Sequence, residues 1–280
     1  MSLTQIEAQS VTWQSDRNGL NHIKVLFSHG LKWICGLTLP ILVLCLWWIA
    51  ADRLWLPEQI LPAPQLVWNT TIELWQSGDL QFNFWVSAGR IFWSVALGVS
   101  IGLILGTWFA LSERAQKWVY PTIQLIAQFP IIGWIPLLMI FLGIDEALKI
   151  VAISLAVVSP VLIATFKGIQ QVPTHLLEVA QVYQFSKWQT LTKVVIPASL
   201  PATISGIRQG VMQAWLALVF VELLASSEGI GYLMVWGRQL MQMDIVFMGI
   251  IFIGLTGFAL DSFLAIFERL ARFYATRVRA

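Results

Sequence analysis

Charge is what this sequence has least of. Of 280 residues, 17 are Lys or Arg and 15 are Asp or Glu, together 11%, against about 25% in soluble globular domains. A chain so poor in charge and 58% hydrophobic is not built to face water on all sides. The net charge of +2 excludes the strongly basic footprint that nucleic acid requires. Cysteine is scarce as well. Cys35 and Cys45 stand ten residues apart in one apolar run, about 15 Å along a helix and too far for a disulfide. They read as small apolar residues, and no metal site is expected. Motifs of chemistry are also missing: there is no H-E-x-x-H, no G-x-x-x-x-G-K-S/T and no paired-cysteine spacing. "GVSIG", Gly98–Gly102, matches the nucleophile-elbow pattern, but it lies inside an apolar run. The histidines His22, His29 and His175 are far from it in sequence, where that chemistry needs a strand-to-helix elbow and a His partner. Its better reading is helix packing: Gly98, Gly102 and Gly106 recur every four residues and let a second helix approach closely.

What the chain does have is long apolar runs. A helix needs about 20 mostly apolar residues to span a bilayer, and six runs qualify: Leu31–Ala51, Ser87–Leu111, Val119–Leu142, Leu148–Phe166, Thr203–Ala225 and Ile245–Phe267. The runs are continuous and do not alternate, which excludes barrel strands. The fold class expected is an all-α polytopic membrane protein with six transmembrane helices. Fifteen tryptophans suit the interfacial belts of such a protein. Pro121, Pro130 and Pro136 make the third span the least regular.

Residues 1–30 are polar and mixed in charge. They read as a cytoplasmic tail and not as a signal peptide, with a short amphipathic helix around Leu20–Leu31. Lys and Arg set the orientation. The tail and alternate loops hold Arg17, Lys24, Lys32, Arg114, Lys117, Lys167, Lys187, Lys193, Arg269, Arg272, Arg277 and Arg279; the other loops hold Arg53, Lys149 and Arg238. Arg90 and Arg208 lie in or at the edge of spans. Twelve against three on these residues places both termini in the cytoplasm, including a basic tail at 269–280. The segment 52–86 then becomes external, with an amphipathic helix carrying Leu66, Thr70, Glu73 and Leu74. The five later spans form a core over 87–268.

Charge inside a span is costly and marks function by default. Glu222 sits deepest in the fifth span, and it either makes a structural hydrogen bond or lines a path. Arg208 and Asp261, nearer the cytoplasmic ends, can pair or reach the interface. Gln128 and Ser226 join Glu222 and Arg208 as candidates for a translocation path.

The stretch 173–200 is the polar exception between two spans. "VPTHLLEVAQVY" opens with Pro173 and the N-cap candidate Thr174. Leu176, Val179, Ala180 and Tyr183 then share one helical face, giving a short amphipathic helix on the cytoplasmic side. This segment resembles the EAA loop of ABC-importer permeases, whose pattern is E-A-A, three residues, Gly, nine residues, then Ile-x-Leu-Pro. Glu178, Ala180 and Pro197 fall in register, with Val179, Val194 and Ile196 as hydrophobic replacements and Gln184 at the glycine position. "LPAPQLVWNTTIELWQSGDL", "SAGRIFWSVALGVSIGLILG", "FPIIGWIPLLMIFLGIDEALKI" and "ELLASSEGIGYLMVWGRQLMQMDIV" resemble successive blocks of the permeases of aliphatic-sulfonate, taurine and nitrate importers. An arginine common in that family is Ala127 here.

The resemblance implies a type I ABC-importer permease core in a bacterial inner membrane, itself not an enzyme. Its partners would be cytoplasmic ABC ATPase subunits carrying ATP and Mg, an external substrate-binding protein and a second permease copy, forming a homodimer. The cargo implied is a small sulfonate-type anion; nitrate, bicarbonate, taurine and a thiamine precursor are the alternatives. Glu178, Val179, Ala180, Tyr183, Gln184 and Pro197 would couple the chain to the ATPase. A secondary transporter is the remote rival, but the internal repeats expected of one are not found. The other is a membrane-embedded enzyme, for which no catalytic constellation is present.

Overall fold

The computed structural model describes residues 38–279, and the surroundings of side chains through residue 270. Residues 1–37 lie outside the described residues, and with them the expected tail, the amphipathic helix at 20–31 and the start of the first span. Among the described residues all regular structure is helical. Residues up to Gln65 and those from Leu66 onward form two separate compact units.

In the first unit, α1 (Thr38–Asp52) is apolar and exposes Leu39, Leu42, Leu44, Leu46 and Trp48. The turn after it carries Leu54 at φ 51, and Trp47 Nε1 donates to the Pro62 carbonyl at 3.0 Å.

Helix α2 (Pro64–Ser77) leads through Gly78, at φ 88, into α3 (Asp79–Leu111). The second span therefore belongs to a helix that starts eight residues before the expected Ser87, because the next backbone break upstream is Gly78. Of the stripe Leu66, Thr70, Glu73 and Leu74 on α2, Thr70 is the one buried residue. Val67 and Thr70 point inward, while Leu66 and Glu73 are exposed. Thr70 fixes that face by donating its hydroxyl to Asp244 at 2.5 Å.

The third expected span is broken. After α4 (Glu113–Trp118), α5 (Tyr120–Ile126) and α6 (Ile131–Leu142) replace the one helix expected over Val119–Leu142, and α5 and α6 meet at 95°. Pro130 has no N–H to donate and drives the residue before it out of helical geometry. α7 (Glu146–Gln170) follows, then α8 (Thr174–Val182) and α9 (Lys187–Thr190). After one π-helical turn (Leu191–Val195) come α10 (Ile196–Ala225), α11 (Ile230–Gln239) and α12 (Met243–Arg279). Four stretches, built around α3, α7, α10 and α12, are long and apolar enough to cross a bilayer, and the α5–α6 pair makes a fifth if it counts as one span.

The core is a slab of α3, α7 and α10, and its construction inverts that of a soluble protein. The residues α3 buries are Leu80, Asn83, Ser87, Arg90, Ser94, Gly98, Gly102, Gly106 and Phe109. Trp85, Phe92, Trp93 and Ile104 of the same helix point outward. Lipid is as apolar as leucine, so bilayer helices associate through small and polar residues. A Cβ on Gly98 would lie 2.7 Å from the Ser154 carbonyl, and one on Gly102 2.8 Å from Val161 Cβ. On Gly106 it would meet the Leu162 carbonyl at 2.7 Å. Around this seam Val157, Val161, Ala214, Leu218 and Val221 form the main core.

Candidate functional site

Two polar constructions stand at opposite ends of the slab, separated by the 25 residues of α7, about 37 Å at 1.5 Å per residue.

At one end is α8 with its exit turn. Pro173, not Thr174, is the N-cap residue, and Thr174 is the first helical position. Proline's fixed φ suits entry into a helix, and its carbonyl accepts from Leu176 N–H at 3.1 Å. Ala180 is the buried residue of this helix. Val179, Val182 and Tyr183 are 52%, 81% and 72% exposed, so the expected Leu176–Val179–Ala180–Tyr183 face is split, and half its apolar surface points away from the chain. Glu178 is exposed too.

The turn is closed by Gln184 N–H donating to Gln181 O and Phe185 N–H donating to Ala180 O, both at 2.9 Å. That pair of bonds is a Schellman cap, which needs a left-handed residue, usually glycine. Gln184 supplies it at φ 53. The glycine-to-glutamine departure leaves the turn geometry intact, at a conformational cost of about 1–2 kcal/mol.

Ser186 then caps α9 in a reciprocal capping box with Gln189. The following turn widens, with Ile196 N–H donating to Leu191 O. Pro197 explains the widening. It has no N–H, and its ring would clash with the carbonyl of the residue four before it in a regular helix.

The other end holds a buried ionic cluster that sequence reasoning did not assemble. Arg90 of α3, 3% exposed, faces two carboxylates. Its Nε and Nη2 donate to Glu146 of α7 at 2.9 and 2.6 Å. Its Nη1 donates to Glu222 of α10 at 2.8 Å and to the Glu228 carbonyl at 2.7 Å. Lys149 Nζ donates to the same Glu146 oxygen at 2.6 Å. Two cations thus meet the buried Glu222 and the half-exposed Glu146, a pairing that makes the buried charges tolerable.

Glu222, 1% exposed, is held by two further donors. Ser87 Oγ donates to its Oε1 at 2.6 Å and Gly231 N–H to its Oε2 at 2.9 Å. A Cβ on Gly229 would fall 2.6 Å from Oε2, and one on Gly231 2.7 Å from Glu222 Cβ. Asn83 Oδ1 accepts from Gly229 N–H at 2.7 Å, and Ser87 Oγ from Ile230 N–H at 3.1 Å. The donors at the start of α11, left orphaned by helix geometry, are therefore satisfied by side chains of α3 and α10.

The remaining candidates are dispersed. Arg208 pairs within the bundle with Asp261 at 2.8 Å and Glu268 at 2.7 Å. Gln128 and Ala127 lie at the α5–α6 bend, where Gln128 is exposed. Ser226 ends α10 and donates to the Glu228 carbonyl at 2.5 Å. Among the described residues no group of His, Cys, Asp and Glu could hold a metal ion. The clue to the cluster was the i, i+4, i+7, i+11 row of Asn83, Ser87, Arg90 and Ser94, a polar stripe that runs on into the glycines.

Comparison with known proteins places this architecture. A Bacillus subtilis (strain 168) protein named as an aliphatic sulfonates transport permease is 36% identical over 237 residues, 85% of this chain and 86% of that protein. The taurine transport system permease protein of Escherichia coli (strain K12) is 30% identical over 257 residues, covering 87% and 94%. Among solved structures, an amino acid ABC transporter aligns with a TM-score of 0.58 at 13% identity, over 71% of this chain and 97% of that one. An inward-facing MetNI methionine ABC transporter aligns with a TM-score of 0.53 at 16% identity, over 65% and 93%. These two share the fold. Residues 98–273 match the family model described as "Binding-protein-dependent transport system inner membrane component", and the chain belongs to that family, the membrane permease subunits of ABC importers.

Proposed function

We propose that this permease carries a small sulfonate-type organic anion, delivered by an external binding protein and driven by cytoplasmic ATPase subunits. The observation that carries the coupling half of this reading is α8. It is a short helix between two spans that turns Val179, Val182 and Tyr183 outward. It also keeps a Schellman exit although Gln184 replaces glycine. Such a helix fits a cleft on a soluble partner. Glu178 pairs with partner cations, Ala180 permits close approach of α8 to its own bundle, and the turn through Pro197 passes the motion to α10. ATP and Mg belong to the partner ATPase.

Two copies of the chain complete the pathway, in a bacterial inner membrane with α8 and both termini on the cytoplasmic side. That orientation rests on the Lys and Arg bias. The cargo half rests on the named roles of the relatives, aliphatic sulfonates and taurine.

Glu178→Lys tests the coupling. In the reconstituted assembly it is expected to release the ATPase or to leave hydrolysis running without uptake, and normal uptake would overturn the docking role. The cargo is tested by stimulation of ATPase activity in the same assembly. Alkyl sulfonates and taurine are expected to stimulate; stimulation by nitrate, bicarbonate or a thiamine precursor alone would replace the anion class.

A further inference from the structure

We infer that Glu222 and Arg90 are positioning residues for transport: they dock α11 onto α3 and α10, so that these helices and α7 move as one body through the cycle. This rests on the importer reading above. Glu222 is poorly placed to meet an anionic cargo. Both its oxygens are occupied by Ser87, Arg90 and Gly231. The cavity of about 170 Å³ beside it is lined by Phe84, Ile91, Trp215, Leu218, Ile253 and Leu260 among others, an apolar wall that gives an anion no cation to pair with.

Its contacts point to α11. Three successive N–H groups, of Gly229, Ile230 and Gly231, go to Asn83, Ser87 and Glu222. Arg90 adds the Glu228 carbonyl just before them and joins the whole to Glu146 at the start of α7. A helix whose first three N–H groups are held by neighbouring helices cannot tilt without stranding donors and buried charge together. α11 in turn packs on α12, where a Cβ on Gly237 would meet Ile245 Cβ at 2.7 Å. The end of the bundle opposite α8 is thereby braced, and movement that starts at α8 reaches it as a displacement of the whole slab.

The test uses the full assembly with its ATPase in liposomes. Cys35 and Cys45 are replaced by serine, the latter being exposed. Spin labels are placed at Trp85 of α3 and Gln239 of α11, both exposed. In the wild-type background the label distance is expected to be the same in nucleotide-free and vanadate-trapped states. In Glu222→Gln, which cannot accept from Gly231 N–H through an amide nitrogen, the distribution is expected to broaden. Substrate moved per ATP hydrolysed is expected to fall at least about tenfold, the scale of one lost charge-assisted hydrogen bond.

A merely structural Glu222 would lower assembly yield, hydrolysis and uptake together and leave that ratio unchanged, which overturns the inference. So does a wild-type distance that changes between the two states. Ser87→Ala, a milder loss on the same oxygen, serves if Glu222→Gln does not assemble, with a smaller fall in the same ratio expected. An assembly in which the wild type neither hydrolyses ATP nor transports would sink the importer reading itself.

Discussion

The two ends of the slab use the same kinds of residue in opposite ways. At the Arg90 end, side chains of α3, α7 and α10 satisfy one another and the first turn of α11, with Arg90 and Glu222 3% and 1% exposed. At the α8 end the helix satisfies its own backbone, and Val182, Tyr183 and Glu178 are left turned outward. Removing one member of a buried ion pair strands its partner's charge where water cannot reach it. Removing an exposed side chain strands nothing. Change at the first end should therefore cost stability as well as coupling, and change at the second should cost partnership with folding intact.

The sharpest way to break the contrast is Arg90→Ala. With the buried Glu222 left without its cation, while half-exposed Glu146 keeps Lys149, stability in detergent should fall by about 3–5 kcal/mol, read as a lower melting temperature and poor recovery of monodisperse protein. A smaller effect is expected midway along the slab. Gly98→Ala puts a Cβ 2.7 Å from the Ser154 carbonyl, whereas Gly254→Ala in α12 meets nothing within 4 Å. The first should cost about 1–3 kcal/mol through overpacking. The second should be neutral or gain up to about 1 kcal/mol from helix propensity. Equal effects of the two would mean that the α3–α7 seam is looser than its spacing.

The smallest change belongs at the α8 end. Gln184→Gly removes the left-handed strain and should raise the melting temperature by the equivalent of about 1 kcal/mol. Uptake should remain, because the Schellman turn is already formed. Loss of uptake in that variant would assign the Gln184 side chain a contact with the partner.

Much of the architecture could be read from the chain because bilayer solvation makes length and charge so informative. The long runs near Ser87–Leu111, Leu148–Phe166, Thr203–Ala225 and Ile245–Phe267 correspond to α3, α7, α10 and α12. The α5–α6 break was announced by its prolines, though a 95° bend is sharper than irregularity alone suggests. On α2 the helical spacing could not say that Thr70 would be buried beside Val67, because its partner Asp244 lies 174 residues away.

The Arg90 cluster escaped for the same reason. Arg90, Glu146, Lys149 and Glu222 are scattered over 133 positions, and a count of charges by loop treats Lys149 as an external loop charge and Arg90 as a marginal one. In the folded chain Lys149 is 5% exposed and shares a carboxylate with Arg90. Periodicity along α3 would have put Arg90 on the buried face; nothing local could supply its anions. Gln184 is the converse case. The pattern flagged a missing glycine, but the backbone keeps the glycine conformation, because two hydrogen bonds and a buried Ala180 specify the turn more strongly than glutamine resists it.

The single π-helical turn before α10 acts as a phase adjuster. It lodges one more residue in a turn than an α-helix would, so replacing it by a regular turn would rotate everything downstream by about 100° relative to α9. Gly206 and Gly210 lie downstream on the face where Ala164, Pro160, Val161 and Val157 of α7 approach, and a rotation of that size would carry both off the seam. Pro197 thus fixes the angular setting of α10 relative to α8 and α9.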